Sequence, residues 1–226
     1  MIRRVLLPLA FGAIGIGILL GLGFWQLARL EVKQAYLAQI ETAIAAAPVA
    51  LPDTLDPVAD KFLAVIVTGQ FTGEALDVLV SRKEVGAGVR VVEAFVTDTG
   101  RRIMVDRGFV LDAARKSDRT TTVAEVTGNL HWPVETDSYT PAPDAASALW
   151  FARDVAAMAA ELKTDAVLVV ARSDTGGGVD PFPVDTAGIP NDHLQYAITW
   201  FSLAVVWAGM TGLYLWRNRR QNGVKV

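Results

Sequence analysis

The run VLLPLAFGAIGIGILLGLGFWQLA, residues 5–28, contains no ionisable side chain. At about 1.5 Å per helical residue, its 24 residues are enough to cross a hydrocarbon core of roughly 30 Å. Met1-Ile2-Arg3-Arg4 could equally be the basic start of a signal peptide. The apolar stretch is too long for that, however, and no small-x-small cleavage site precedes Arg29. The reading is an uncleaved membrane anchor. A second uncharged run of 23 residues, 194–216, stops at Arg217-Asn218-Arg219-Arg220 and reads as a second crossing. These two runs divide the chain into a tail (1–4), a transmembrane helix (5–28), a domain (29–193), a second transmembrane helix (194–216) and a tail (217–226).

Charge follows the same division. The 226 residues are 52% hydrophobic, with a mean hydropathy of +0.33 and a net charge of −3. That figure averages unlike parts: residues 29–193 hold all 24 acidic residues and 15 of the 21 basic ones, a net −9. An acidic middle offers phosphates no cationic track, so nucleic acid is not an expected partner. The absence of cysteine excludes disulfides, iron–sulfur clusters and thiolate metal sites.

Basic residues beside each span set the expected orientation. Arg3 and Arg4 precede the first span, and Arg217, Arg219, Arg220 and Lys225 follow the second. Arg29 and Lys33 lie on the other side of the first span, but the twenty residues before Leu194 carry only acids, Asp174, Asp180, Asp185 and Asp192. Both termini are therefore expected in the cytoplasm and the middle domain in the periplasm. With Met1-Ile2-Arg3-Arg4 leading straight into the anchor, no mitochondrial presequence is expected. The expected location is a bacterial inner membrane. Gly17-xxx-Gly21 in the first span and Ala204-xxx-Ala208-xxx-Gly212 in the second are small-residue faces through which the two helices are expected to touch.

Residues 29–47 continue the first span as a polar, alanine-rich helix ended by Pro48. β-like runs follow at 61–71, 76–82, 89–97, 101–110 and 122–132, with Asp98-Thr99-Gly100 as a hairpin turn. A short amphipathic helix is expected at 150–162, a further strand at 165–171, and a loose tether at 173–188 around Gly176-Gly177-Gly178. The fold class is α+β: a hairpin-like pair of transmembrane helices flanking a mainly antiparallel β domain with one short helix.

The inventory for chemistry is thin. His131 and His193 are the only histidines, and no HExxH, Gly-x-Ser-x-Gly or phosphate-loop pattern occurs. Arg82-Lys83 and Arg101-Arg102 read as solvated strand ends, and His131-Trp132-Pro133 as a structural strand terminus. Sites can assemble from distant residues, but nothing in this inventory argues for an enzyme. His193 stands apart because it opens the second span, where Asn191 or Asp192 can cap the incoming helix. Counting by sevens from it gives Trp200, Trp207 and Tyr214, one narrow helical face. Trp207 falls near mid-membrane, deeper than an aromatic belt reaches, so this face is expected to meet protein or a planar ligand. A neutral imidazole beside apolar aromatics suits an axial bond to haem iron, but on residue chemistry alone an interfacial histidine with no ligand is the simpler reading.

Larger patterns narrow this choice. Gly23-Phe24-Trp25-Gln26-Leu27-Ala28-Arg29 with Lys33 resembles the Gly-x-Trp-Gln-x-x-Arg-x-x-x-Lys exit from the first helix of the Surfeit locus protein family, the Shy-type assembly factors of cytochrome c oxidase. Asn191-Asp192-His193-Leu194-Gln195-Tyr196-Ala197-Ile198-Thr199-Trp200-Phe201 resembles that family's Asn-x-His-x-x-Tyr-Ala-x-Thr-Trp-aromatic segment. Gly69-Gln70-Phe71, Val105-Asp106-Arg107-Gly108-Phe109-Val110 and Trp150-Phe151-Ala152-Arg153-Asp154 are similar to its intervening motifs. Asp106 stands where the family usually has Asn, and Phe109 where it has Trp.

The resemblance implies a non-enzymatic role in respiratory-chain biogenesis: a chaperone that binds haem a and assists its insertion into the catalytic subunit of a haem-copper oxidase. The alternative is a structural scaffold for oxidase subunits that never touches haem. His193 is the implied haem contact and the only metal ligand, with Tyr196, Trp200, Trp207, Trp25 and Gln26 as cofactor-binding candidates. The implied partners are the membrane and the oxidase catalytic subunit, with haem a synthase and a second copy of the chain as further candidates.

Overall fold

A computed structural model describes residues 2–144 and 147–223, with side chains at 6–144 and 147–220. Lys225, one of the basic residues behind the expected orientation, lies outside the described residues, as do the side chains of Arg3 and Arg4. The chain forms two compact units, one built from residues 1–39 and 187–226, the other from 40–186.

The first unit is a pair of helices. Helix α1 runs without a break over Ile2–Ala45, and α3 over His193–Gly223; both are long and apolar enough to cross a membrane. The covered positions of α1 step by four and three, through Pro8, Gly12, Gly15, Leu19, Leu22 and Gln26. Those of α3 include Ala197, Phe201, Ala204, Trp207, Thr211 and Leu215. A mean step near 3.6 is the period of an α-helix, so each helix covers one continuous stripe. The helices run antiparallel, with Gly12 against Thr211, Gly15 against the Trp207 indole and Gly23 against the Phe201 ring.

This corrects one expectation. A Cβ built on Gly17, Gly21 or Gly212 meets nothing within 4 Å, and Ala208 is exposed. Of the two small-residue faces, only Ala204 is buried in the seam. The contact glycines are those that receive a large side chain from α3: small residues here accept knobs instead of letting two backbones approach.

The second unit is built on a sheet whose pairings close on themselves. Strands β1 (Val49–Ala50), β2 (Ala64–Arg82), β3 (Gly86–Thr97), β4 (Arg102–Leu111), β5 (Glu125–Leu130), β6 (Leu149–Trp150) and β7 (Leu168–Ala171) form one sheet. β2 pairs with both β3 and β5, and the circuit returns through β4 and β7. One 19-residue strand replaces the two expected at 61–71 and 76–82. A register shift between Phe71 and Ala75, with Gly73 at φ +80°, bends it so that its two halves serve different partners. Four pairings are antiparallel; β1–β2, β2–β6 and β4–β7 are parallel.

Alternation explains why β7 and residues 103–105 of β4 are apolar without a break. Ile103, Val105, Val167, Val169 and Ala171 face one buried cluster with Val65, Phe95 and Leu130. Met104, Leu168 and Val170 face the other, beneath helix α2 (Val155–Leu162). Both faces of these stretches are covered, so apolar residues point to both sides. α2 buries Val155, Met158, Ala159 and Leu162, the i, i+3, i+4, i+7 stripe. It starts at Asp154, whose carboxylate accepts from the Ala157 N–H at 3.1 Å, not at Trp150 as expected. Trp150 belongs to β6.

The segment expected as a loose tether is stitched to the sheet as far as Val184. Asp180 exchanges both backbone hydrogen bonds with Phe109 (2.7 and 2.9 Å), and Thr175 and Val179 are buried. The wholly buried Arg107 explains why. Its guanidinium donates to Glu93 Oε2 (2.5 Å), Thr175 Oγ1 (3.2 Å), the Arg119 carbonyl (2.8 Å) and the Gly176 carbonyl (3.0 Å). Gly177, at φ +61°, passes so close that a Cβ would lie 2.4 Å from the Arg119 carbonyl oxygen. The three glycines allow a left-handed wrap around a buried cation.

Of the basic pairs read as solvated strand ends, Lys83 is exposed as expected, but the three arginines have partners. Arg82 lies over the Phe109 and Phe182 rings, Arg101 bonds Asp165 and the Pro52 carbonyl, and Arg102 pairs with Glu74.

Candidate functional site

The Asn191–Phe201 stretch lies at the start of α3, where the helix pair meets residues 23–29 of α1. Two of the sequence candidates come together here: Nδ1 of His193 lies 2.8 Å from Oε1 of Gln26. Gln26 is 9% exposed, a primary amide inside a largely apolar seam. α3 opens with the Asp192 carbonyl accepting from the Tyr196 N–H at 3.1 Å. Neither the Asn191 nor the Asp192 side chain makes the expected capping bond among the described residues. The Asn191 Oδ1 atom is buried with no hydrogen-bond partner. The sequence reading gave this residue only a capping role; its place two positions before His193 was the available signal for more.

Aromatic surface rings this end of the pair. Trp25 and Tyr196 are about half exposed, Phe24 more so, and Phe24 meets Phe201 edge to face at 5.3 Å. The Arg29 guanidinium stands 5.6 Å from the centre of the Trp25 ring and one turn along α1 from Gln26. Trp200 is half-buried.

Trp207 sits at another level. Fourteen residues separate it from His193, about 21 Å along a helix. Its ring packs on Phe11 at 5.5 Å between centroids and covers Gly15. With Pro8, Met210, Thr211 and Tyr214 it lines an apolar groove of about 290 Å³. The prediction that this face meets protein or a planar ligand is met at Trp207 by protein.

In the second unit, His131 stacks on Phe62 at 5.5 Å and its Nδ1 is buried without a partner. Burial, reinforced by the nearby charge of Arg153, lowers its pKa to about 4. Asp106, wholly buried, receives Arg90 at 2.7 Å and Arg153 at 3.1 Å, while Arg153 also pairs with Glu135. These contacts join strands to loops, and among the described residues no group of three metal-ligating side chains forms.

Comparison with known proteins places these features in a lineage. A model of the SURF1 family matches residues 13–205. A SURF1-like protein of Rickettsia felis is 31% identical over 204 residues, covering 83% of this chain and 88% of that protein. A SURF1-like protein of Monosiga brevicollis is 29% identical over 211 residues, covering 84% and 80%. Surfeit locus protein 1 of Rattus norvegicus is 28% identical over 232 residues, covering 90% and 74%.

Proposed function

The chain belongs to the SURF1 family, a family of cytochrome oxidase assembly factors, and from that premise we propose that it escorts haem a to the catalytic subunit of a haem-copper oxidase. The observation that carries this reading is the state of His193. It is the only histidine of the helix pair, it sits at the mouth of that pair, and its Nε2 has no protein partner among the described residues.

The surrounding groups suit a haem. A neutral imidazole nitrogen is a good axial donor, and bound iron supplies the Lewis-acidic centre that it would hold. The orphaned Asn191 Oδ1 calls for a donor, such as the hydroxyl that haem a carries on its long side chain. Arg29 offers a cation for a propionate, and Phe24, Trp25 and Tyr196 offer apolar surface for a macrocycle. Trp200 stands one heptad along α3 from His193 and extends that surface.

His193 would hold the haem through one protein bond, which suits a carrier that must release its cargo. The orientation that follows from the basic flanks puts both termini in the cytoplasm and His193 at the periplasmic rim of a bacterial inner membrane. The sheet domain then stands in the periplasm. Haem a synthase on one side and the oxidase subunit on the other are the partners this role requires. Nothing in it needs bond chemistry from the protein.

The test is co-expression with the haem a synthesis enzymes, followed by purification of the full chain in detergent. A Soret band is expected in the wild type, with haem content reduced several-fold in His193→Ala. A wild-type protein that assembles oxidase in vivo yet carries no Soret band would overturn the haem role and leave a scaffold.

A further inference from the structure

Gln26 needs a reason to be where it is. Burying an amide without a partner costs about 1–3 kcal/mol in proteins, and its neighbours in the seam are Leu22, Gly23 and Leu27. Among the described residues, its side chain makes one hydrogen bond, to His193 on the other helix. A neutral imidazole has one N–H and one lone pair. Opposite an amide oxygen at 2.8 Å, the Nδ1–H tautomer makes a hydrogen bond, whereas the Nε2–H tautomer sets lone pair against lone pair.

We propose that Gln26 is a positioning residue: its amide oxygen holds His193 as the Nδ1–H tautomer with its ring orientation fixed, which leaves the Nε2 lone pair as the one available to haem iron. This rests on His193 being a haem contact, and it adds how the contact is prepared. The bond joins α1 to α3, so the ligand is oriented only when the two helices are paired. The acceptor is also neutral. A carboxylate in the same place would push negative charge into the imidazole and strengthen its bond to iron. An amide orients the ring without that reinforcement, which suits a protein that must give its cargo up.

The experiment titrates ferric haem a into the full chain in detergent, comparing wild type, Gln26→Leu, Gln26→Glu and His193→Ala. Affinity is read from the Soret band and the iron–histidine stretch from resonance Raman spectra of the reduced complexes. Loss of an outer partner of a metal ligand typically costs about 10–100-fold in affinity, and that loss is expected for Gln26→Leu, with a lowered iron–histidine frequency. Gln26→Glu keeps an acceptor, so it is expected to bind within about 10-fold of wild type and to raise that frequency. Thermal unfolding of each variant separates lost positioning from a lost fold, and Gln26→Glu decides the matter if Gln26→Leu does not fold. Wild-type affinity and an unmoved frequency in Gln26→Leu overturn the positioning role, as does an unmoved frequency in Gln26→Glu. Wild-type affinity in His193→Ala would instead overturn the haem-contact reading itself.

Discussion

The imidazole of His131 resists protonation, and the reason is local. Burial disfavours the charged ring first, the guanidinium of Arg153 and the ammonium of Lys61 add repulsion, Glu135 opposes them, and Arg90 adds a little more. The folded pKa is about 4, against an ordinary value of 6.5. With the folded value depressed, the unfolded chain takes up a proton that the folded chain declines. Stability is therefore intact above about pH 6.5 and falls as pH drops toward 4. For a ring that keeps some solvent access, the loss at pH 5 is about 1 kcal/mol. Denaturant unfolding of the full chain at pH 7 and pH 5 should show this fall, and His131→Phe, which keeps the stack on Phe62, should flatten it. An equal fall in the variant would remove His131 as the cause. Asp106 illustrates residue-scale compensation of another kind: a carboxylate at a position where the family usually has an amide is balanced by Arg90 and Arg153 at once.

Glycines make the difference at the scale of helices. α1 is rich in them, and a sequence pattern cannot say which line a seam and which face outward. The seam uses Gly12, Gly15 and Gly23 because each lies under a bulky side chain of α3, with Cβ clearances of 2.4–2.5 Å. Gly15→Leu or Gly23→Leu must displace Trp207 or Phe201, whereas Gly17→Leu and Gly21→Leu add apolar surface to an open face. The chain contains no cysteine, so the pair Gly12→Cys with Thr211→Cys gives a clean oxidative cross-link between helices. We expect that cross-link to fall several-fold when Gly15→Leu is added and to stay at the parent level with Gly17→Leu. Equal loss in both would mean that the seam lies on the other face. The element boundaries in the β unit show the same limit. The β-like runs marked β3, β4, β5 and β7 to within a few residues, but the bulge that makes β2 one strand depends on partners far away in the chain.

For the whole molecule, the missing cysteines make orientation testable. If the basic flanks set it, Tyr139→Cys, on a fully exposed loop, should react with a membrane-impermeant maleimide in intact cells. Asn218→Cys, beside Arg217 and Arg219, should react only after lysis. The reverse pattern would invert the topology. The two candidate spans and the α+β class were legible in the sequence because each is a property of consecutive residues. A run without charge, a period of two and a period near 3.6 can all be read along a line. The family motifs likewise marked the one rim of the helix pair where α1 leaves and α3 enters. What the line could not carry was every feature made by residues distant in it. The closing of the sheet through two uses of β2, the burial of the glycine-rich segment around Arg107, and the 2.8 Å approach of Gln26 to His193 are of this kind. Local composition determined which segments are helix, strand and span; tertiary packing alone decided which faces meet, because a face is chosen by the partner that fills it.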